Sequence, residues 1–311
     1  MKQTEQAYIP VDYFHRFQQT QSVSPPSSPS IPPSVNGIVD VDCREKMCEW
    51  CFQIVDHCQF QRETATIAMN LLDRYLSSDT IGDSVLNDRG TYQLAAMACL
   101  YTAVKIHEPV AISSDNMAKL SKGVYTKEQL EIMESTLLGA IEWRLHPVTS
   151  ITFCQYIVEL LSPNRHLMSA DPTAKDLVGQ NGGLDDVTKE TLLELARMQC
   201  ELAVSEYDLC LESSSSIAFA AIMNAIHCMD LPLRVQKEVE FLLILAMGTD
   251  SQTSHMQDIQ IRLYQAIVGT PYCVANNSVP ASALVNNAKS LAVCRDATGS
   301  PRSVSVATTA H

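Results

Sequence analysis

Cys48 and Cys51 have the spacing of a zinc-ligand pair, and Cys43, His57 and Cys58 lie close by in the chain. A structural zinc site needs a second pair of ligands and a tight knuckle to present them. No matching second pair follows, and Cys48-x-x-Cys51 falls inside a predicted helix, so no metal and no cofactor is expected. There is also no nucleotide-binding glycine loop, no nucleophile elbow and no H-E-x-x-H sequence. Two largely apolar stretches are of more interest: Leu94–Glu108, LAAMACLYTAVKIHE, holds Lys105, and Leu130–Leu145, LEIMESTLLGAIEWRL, holds Glu134. A lysine can supply donors to unpaired carbonyls and a carboxylate can accept from amides. Taken alone, the two are equally well solvated charges at a helix end and a helix flank.

The elements that must position these residues read as helices. Met47, Trp50, Cys51, Ile54, Val55 and Cys58 recur at helical spacing, and a second helix over 62–77 buries Ile67, Leu71, Leu72 and Leu76. A third, over 90–107, is apolar at every position from Leu94 to Leu100 and rich in small residues, which places it centrally with neighbours on several sides. A short helix over 114–121 precedes a capping box, Thr126-Lys-Glu-Gln129. That box opens a fifth helix with Leu130, Met133, Leu137, Leu138 and Ile141 on one face, stopped by His146-Pro147. A similar pattern recurs over 151–161, 187–204, 217–228, 236–247 and 254–268, and its third member, IAFAAIMNAIHC, is again apolar almost all round. The organisation is therefore all-α: an N-terminal region over 1–40, helical units over 41–147 and 148–270, and a tail over 271–311. The tail is expected to be disordered and the N-terminal Pro/Ser-rich linker, 22–36, extended, while 162–185 reads as a long polar loop with Pro, Asn and Gly. A short helix around 10–19 carries Tyr13, Phe14 and Phe17 on one side. Ser24-Pro25 and Ser28-Pro29 are dipeptides that proline-directed kinases can use, although ordinary linker composition accounts for them too.

Composition narrows the function classes. The chain has 35 acidic and 22 basic residues, a net charge of −13, and no Lys/Arg run. A broad nucleic-acid interface needs a basic face, so none is expected. No apolar run approaches the ~20 residues that cross a membrane. The opening MKQTEQAYIP has no apolar core, and cysteines such as Cys51, Cys99 and Cys154 sit on apolar stripes, the usage of a reducing compartment.

Duplicated five-helix units with a buried third helix resemble the cyclin fold, and the first unit resembles the cyclin box in particular residues. Arg44 stands six positions before Trp50, Asp73-Arg74 lies in NLLDRYL, Lys105 ends AVK, and Glu134 lies in IME. The resemblance implies a regulatory subunit, not an enzyme. Such a protein binds and activates a cyclin-dependent Ser/Thr kinase as a heterodimer and controls cell-cycle progression. It implies that Arg44 and Asp73 form a partly buried ion pair. It implies that Lys105 and Glu134 reach backbone groups of the kinase, with Ile106, Leu138, Trp143 and Leu145 excluding water around them. It further implies work in the nucleus and/or cytoplasm, with kinase substrates or inhibitors as additional partners.

One family feature is altered. The substrate-docking patch of many cell-cycle cyclins, M-R-A-I-L, reads Cys43-Arg-Glu-Lys-Met47 here, with Lys46 in an apolar position, although Met47, Trp50, Arg89 and Gln93 stand in matching places. No R-x-x-L near the N-terminus and no L-x-C-x-E is present. Two alternatives share the fold: a transcription-associated protein, which would need the missing basic face, and an adaptor without kinase activation, which has no need of Lys105 and Glu134.

Overall fold

Two separate apolar clusters organise the helices. The structure, a computed structural model, describes residues 2–23, 37–78, 81–160, 184–229, 231, 233–247 and 254–269. The N-terminal region contributes α1 (Lys2–Glu5), a 3-10 turn (Gln6–Tyr8) and α2 (Tyr13–Val23). The first cluster is built from α3 (Val41–His57), α4 (Arg62–Leu76), α5 (Ile81–Leu86), α6 (Arg89–His107), α7 (Ser114–Leu120) and α8 (Lys127–Ala140). The second is built from α9 (Ser150–Leu160), α10 (Asp186–Ser205), α12 (Ser214–Cys228), α13 (Leu233–Met247) and α14 (Ser254–Gly269), with α11 (Tyr207–Cys210) between α10 and α12. There is no strand pairing into a sheet among the described residues. The linker over 24–36, with Ser24 and Ser28, the loop over 161–183 and the tail from 270 lie outside the described residues.

The uniformly apolar helices are central in both clusters. All residues of α6 from Leu94 to Val104 are buried, and α4 and α8 pack against it. In α12 the run Ile217–Ile226 is buried, between α9, α10 and α14. Small side chains permit this close approach; Ala95, Ala96, Ala98 and Ala103 in α6 have counterparts in Ala218, Ala220, Ala221 and Ala225 of α12.

The helix starts are fixed by side-chain caps. Asp40, Asp88, Ser113, Asp185 and Ser213 each accept a backbone N–H from the first turn of their helix. Thr126 and Gln129 complete both bonds of the capping box of α8, at 3.3 and 2.9 Å.

Several elements differ from the sequence reading. α8 ends at Ala140 rather than at His146-Pro147, because Glu142 and Trp143 turn into the left-handed region at φ 55° and 57°. α2 begins at Tyr13 and runs to Val23, into the stretch read as linker. The prolines that mark that linker constrain only the residue directly before them, so Ser22 and Val23 remain free to be helical. α5 and α11 were not anticipated, being too short to show a period. α5 owes its position to Gly82, where a Cβ would stand 2.0 Å from the Leu76 carbonyl oxygen.

The two clusters meet on one guanidinium. Arg44 donates through Nε and Nη2 to both oxygens of Asp73, at 2.9 and 2.8 Å. Its Nη1 donates to the carbonyls of Val204 and Ser205 at the end of α10, at 2.8 and 3.0 Å. The side chains of Arg44 and Asp73 are 1% and 3% exposed, so burial is complete rather than partial. Burial works against the Arg44 charge, but the Asp73 carboxylate outweighs it and holds the guanidinium well above its ordinary pKa.

The N-terminal region is tied to both clusters. Tyr13 donates to Asp73 at 2.8 Å, and Arg16 donates to the carbonyls of Leu76, Ser77 and Ser78 that end α4. The buried carboxylate of Glu5 accepts from the amide and hydroxyl of Ser215 in the first turn of α12, at 2.9 and 2.7 Å.

Removing one member of a buried ion pair leaves the other charge uncompensated, at a cost of about 3–5 kcal/mol. Asp73→Ala is therefore expected to lower unfolding stability by about that amount in urea titrations, whereas Arg89→Ala, which breaks an exposed pair with Asp40, costs less than about 1 kcal/mol. An Arg44→Met, Asp73→Leu double variant recovers much of the loss.

Candidate functional site

Lys105 is on the last turn of α6 and Glu134 lies midway along α8, and the packing of these helices brings their side chains together. Lys105 Nζ lies 2.9 and 3.1 Å from the two Glu134 oxygens. Thr102, one turn before Lys105, donates its hydroxyl to Glu134 Oε1 at 3.2 Å. The ammonium sits over the Tyr101 ring, 4.8 Å from its centroid. The pair is lopsided in solvent: the Lys105 side chain is 41% exposed and that of Glu134 only 12%. The carboxylate is thus anchored in the wall, and the lysine caps it from the water side. In this chain the two charges satisfy each other, where the sequence reading aimed both at a partner.

Beside this pair the chain leaves α8 through the turn formed by Ile141–Leu145. Arg74 donates to the carbonyls of Arg144 and Ile141, at 2.7 and 3.1 Å. His107, from the end of α6, contacts the Leu145 carbonyl through Nε2 at 3.1 Å. Held in this way, the turn presents Trp143 with 68% of its surface exposed. Trp143 therefore lies beyond the end of α8, which the sequence reading continued to His146-Pro147. Ile106 is exposed, and Leu138 and Leu145 are half-buried. The site is an exposed apolar rim around a half-covered ion pair, carried by α6, α8 and the turn.

The structure separates the possible docking patch from this site. Met47 and Trp50 are half-buried on α3 and pack on the first cluster. Arg89 is occupied by the Ile38 carbonyl at 2.9 Å and by Asp40, and Gln93 accepts from the Tyr125 hydroxyl at 3.1 Å. Cys48 and Cys51 are buried in α3; burial pushes the Cys48 thiol up to about 12 and raises that of Cys51 as well, so they pack as neutral thiols. Among the described residues, no group of three His, Cys, Asp or Glu side chains is placed to hold a metal ion. Among the described residues, no helix is long and apolar enough to cross a membrane.

Sequence reasoning missed Thr102, Tyr101, His107 and the anchoring role of Arg74. Thr102 could have been found, since it lies three residues before Lys105 on the same helix face. Arg74 could not, because the carbonyls it holds are about 70 residues away and nothing local marks them.

Arg74→Ala leaves the Arg144 carbonyl without its guanidinium donor, and the Ile141 carbonyl with the Arg144 amide alone. The expected result is a stability loss of about 1–3 kcal/mol in urea titration, with faster amide exchange at Glu142–Arg144 than in the rest of the first cluster. Conversely, Glu142→Gly relieves a left-handed backbone and should raise stability by up to about 1 kcal/mol in the same assay.

Residues 12–146 match the model of the cyclin N-terminal domain. Cyclin-D3-3 of Arabidopsis thaliana is 33% identical over 125 residues, covering 40% of this chain and 34% of the plant protein. The G1/S-specific cyclin-E of Caenorhabditis elegans is 28% identical over 127 residues, covering 41% of this chain and 24% of the nematode protein. The matched stretch thus spans about a third or less of these relatives. The crystal structure of a viral cyclin from herpesvirus saimiri superposes with a TM-score of 0.56 over 82% of this chain and 96% of the viral one, at 16% identity, so the likeness in fold extends beyond the first helical unit. Residues 12–146 thus form a domain of the cyclin N-terminal type.

Proposed function

We propose that this chain is the activating regulatory subunit of a cyclin-dependent Ser/Thr kinase and acts in cell-cycle progression. The observation that carries the reading is the Lys105–Glu134 pair, with one face open, on a rim of Ile106, Leu138, Trp143 and Leu145. A pair of this kind offers a partner backbone both donors and acceptors, and apolar closure then removes water from them. The G1/S designation of the nematode relative supports the cell-cycle assignment. Activation on this reading is a population shift: the kinase conformation that fits the rim is the one that is stabilised. The chain itself supplies no chemical step.

A Lys105→Glu, Glu134→Lys double variant tests the proposal cleanly. It preserves an ion pair between α6 and α8, so the fold survives, but it inverts the donor and acceptor offered to a partner. Losing buried charged contacts at an interface costs about 2–5 kcal/mol, so capture of a kinase should fall at least ~30-fold. In pull-downs from proliferating cells of the source organism, the wild type is expected to recover kinase activity on a Ser-Pro peptide and the variant to recover almost none. Equal recovery by both proteins, or none by folded wild type, would overturn the reading.

A further inference from the structure

A cleft of about 1110 Å³ opens between the two helical clusters, walled by α3, α4, α9 and α10. It shares no residue with the Lys105–Glu134 site, so its reading stands whether or not the chain grips a kinase. It also lies on the side of α3 away from Met47 and Trp50, which are not among its lining residues. Its lining has two chemistries. Phe52, Phe60, Met198 and Leu202 are half-buried apolar side chains. Around them six carboxylates, among them Glu45, Glu49 and Glu194, face only two guanidiniums, those of Arg62 and Arg197.

Both guanidiniums are already committed. Arg62 bonds Glu201 at 2.8 Å, pairs with Asp56, and lies over the Phe52 ring at 4.6 Å from its centroid. Arg197 pairs with Glu194 at 3.4 Å. Glu45 and Glu49 have no basic partner among the described residues. The cleft therefore retains an excess of negative charge beside uncovered apolar surface. Arg62 also displays how it receives a cation, stacked on an aromatic ring with carboxylates at the edge.

We infer that this cleft is a docking site for an extended segment of another protein in which arginine or lysine residues are flanked by large apolar side chains. The apolar side chains would cover Phe60, Met198 and Leu202, and the cations would meet Glu45, Glu49 and Glu194. Charge complementarity selects this occupant: an acidic segment would add like charge, and a purely apolar one would strip water from the carboxylates without repayment.

The test uses the full chain and fluorescein-labelled ten-residue peptides with two arginines and two leucines in a Gly/Ser background, each matched by a control with glutamate for arginine. Fluorescence anisotropy should show saturable binding of arginine peptides only, weakened by raising NaCl from about 0.1 to about 0.5 M. A Glu45→Lys, Glu194→Lys variant reverses two partly or fully exposed charges and should weaken binding at least ~tenfold while kinase capture is unchanged. Met198→Asp should do the same through the apolar lining; if it fails to fold, the charge-reversal variant decides alone. Absence of binding above the glutamate controls, or binding unchanged in the charge-reversal variant, overturns the inference. So does a self-associated chain that excludes the peptides and becomes monomeric in that variant, which would assign the cleft to a second copy.

Discussion

Everything in this fold is hung from the Arg44 guanidinium. A buried arginine has five N–H donors and no way to lose its charge, so each donor needs an acceptor supplied by the fold. Two helices and the end of a third must converge to provide them, and here Asp73 and the carbonyls of Val204 and Ser205 accept four hydrogen bonds. The constraint fixes the rotation of α3 against α4 and the approach of the second cluster to the first. It also recruits the N-terminal region, since Tyr13 donates to an Asp73 oxygen that already accepts from Arg44 Nε. The carbonyl end of α10 is itself the negative pole of a helix, which makes it a fitting ligand for the cation.

The same turn of α4 governs the candidate site. Asp73 and Arg74 are adjacent, so their side chains leave the helix about 100° apart. One reaches inward to Arg44; the other reaches the turn after α8. Any rotation of α4 that disturbed the joint between the clusters would therefore also move Trp143 and Leu145. The rim gains its rigidity at no entropic cost to its own side chains, because it is held through backbone carbonyls and leaves the Trp143 side chain exposed.

How much of this was legible in the sequence depended on range. The buried axes α6 and α12 and the capping box of α8 were visible, because composition and spacing within one helix encode them. Boundaries set by backbone conformation were not: nothing in Glu142-Trp143 announces left-handed residues, since both are side chains that disfavour it. The pairing of Arg44 with Asp73 was reached only through the family resemblance. Its extension to Val204 and Ser205, like the capping of α12 by Glu5 across 210 positions, depends on tertiary placement that no local pattern records.

The exposure of the Lys105–Glu134 pair bears on how a partner could engage it. An ion pair with one member 41% exposed is screened and contributes little to folding, about 0–1 kcal/mol. Arg44–Asp73 is the opposite case, buried and costly to break. The molecule thus has one ion pair it cannot surrender and one it can. On the function proposed above, an incoming backbone carbonyl would draw Lys105 away, while Glu134 would keep the Thr102 hydroxyl, now at 3.2 Å, and stay positioned for an incoming amide. The lysine would leave a weak bond and form its new one in a site dried by apolar contact, where the same hydrogen bond is stronger. That difference would favour the proposed bound arrangement, and it requires the pair to be half-exposed beforehand, as it is.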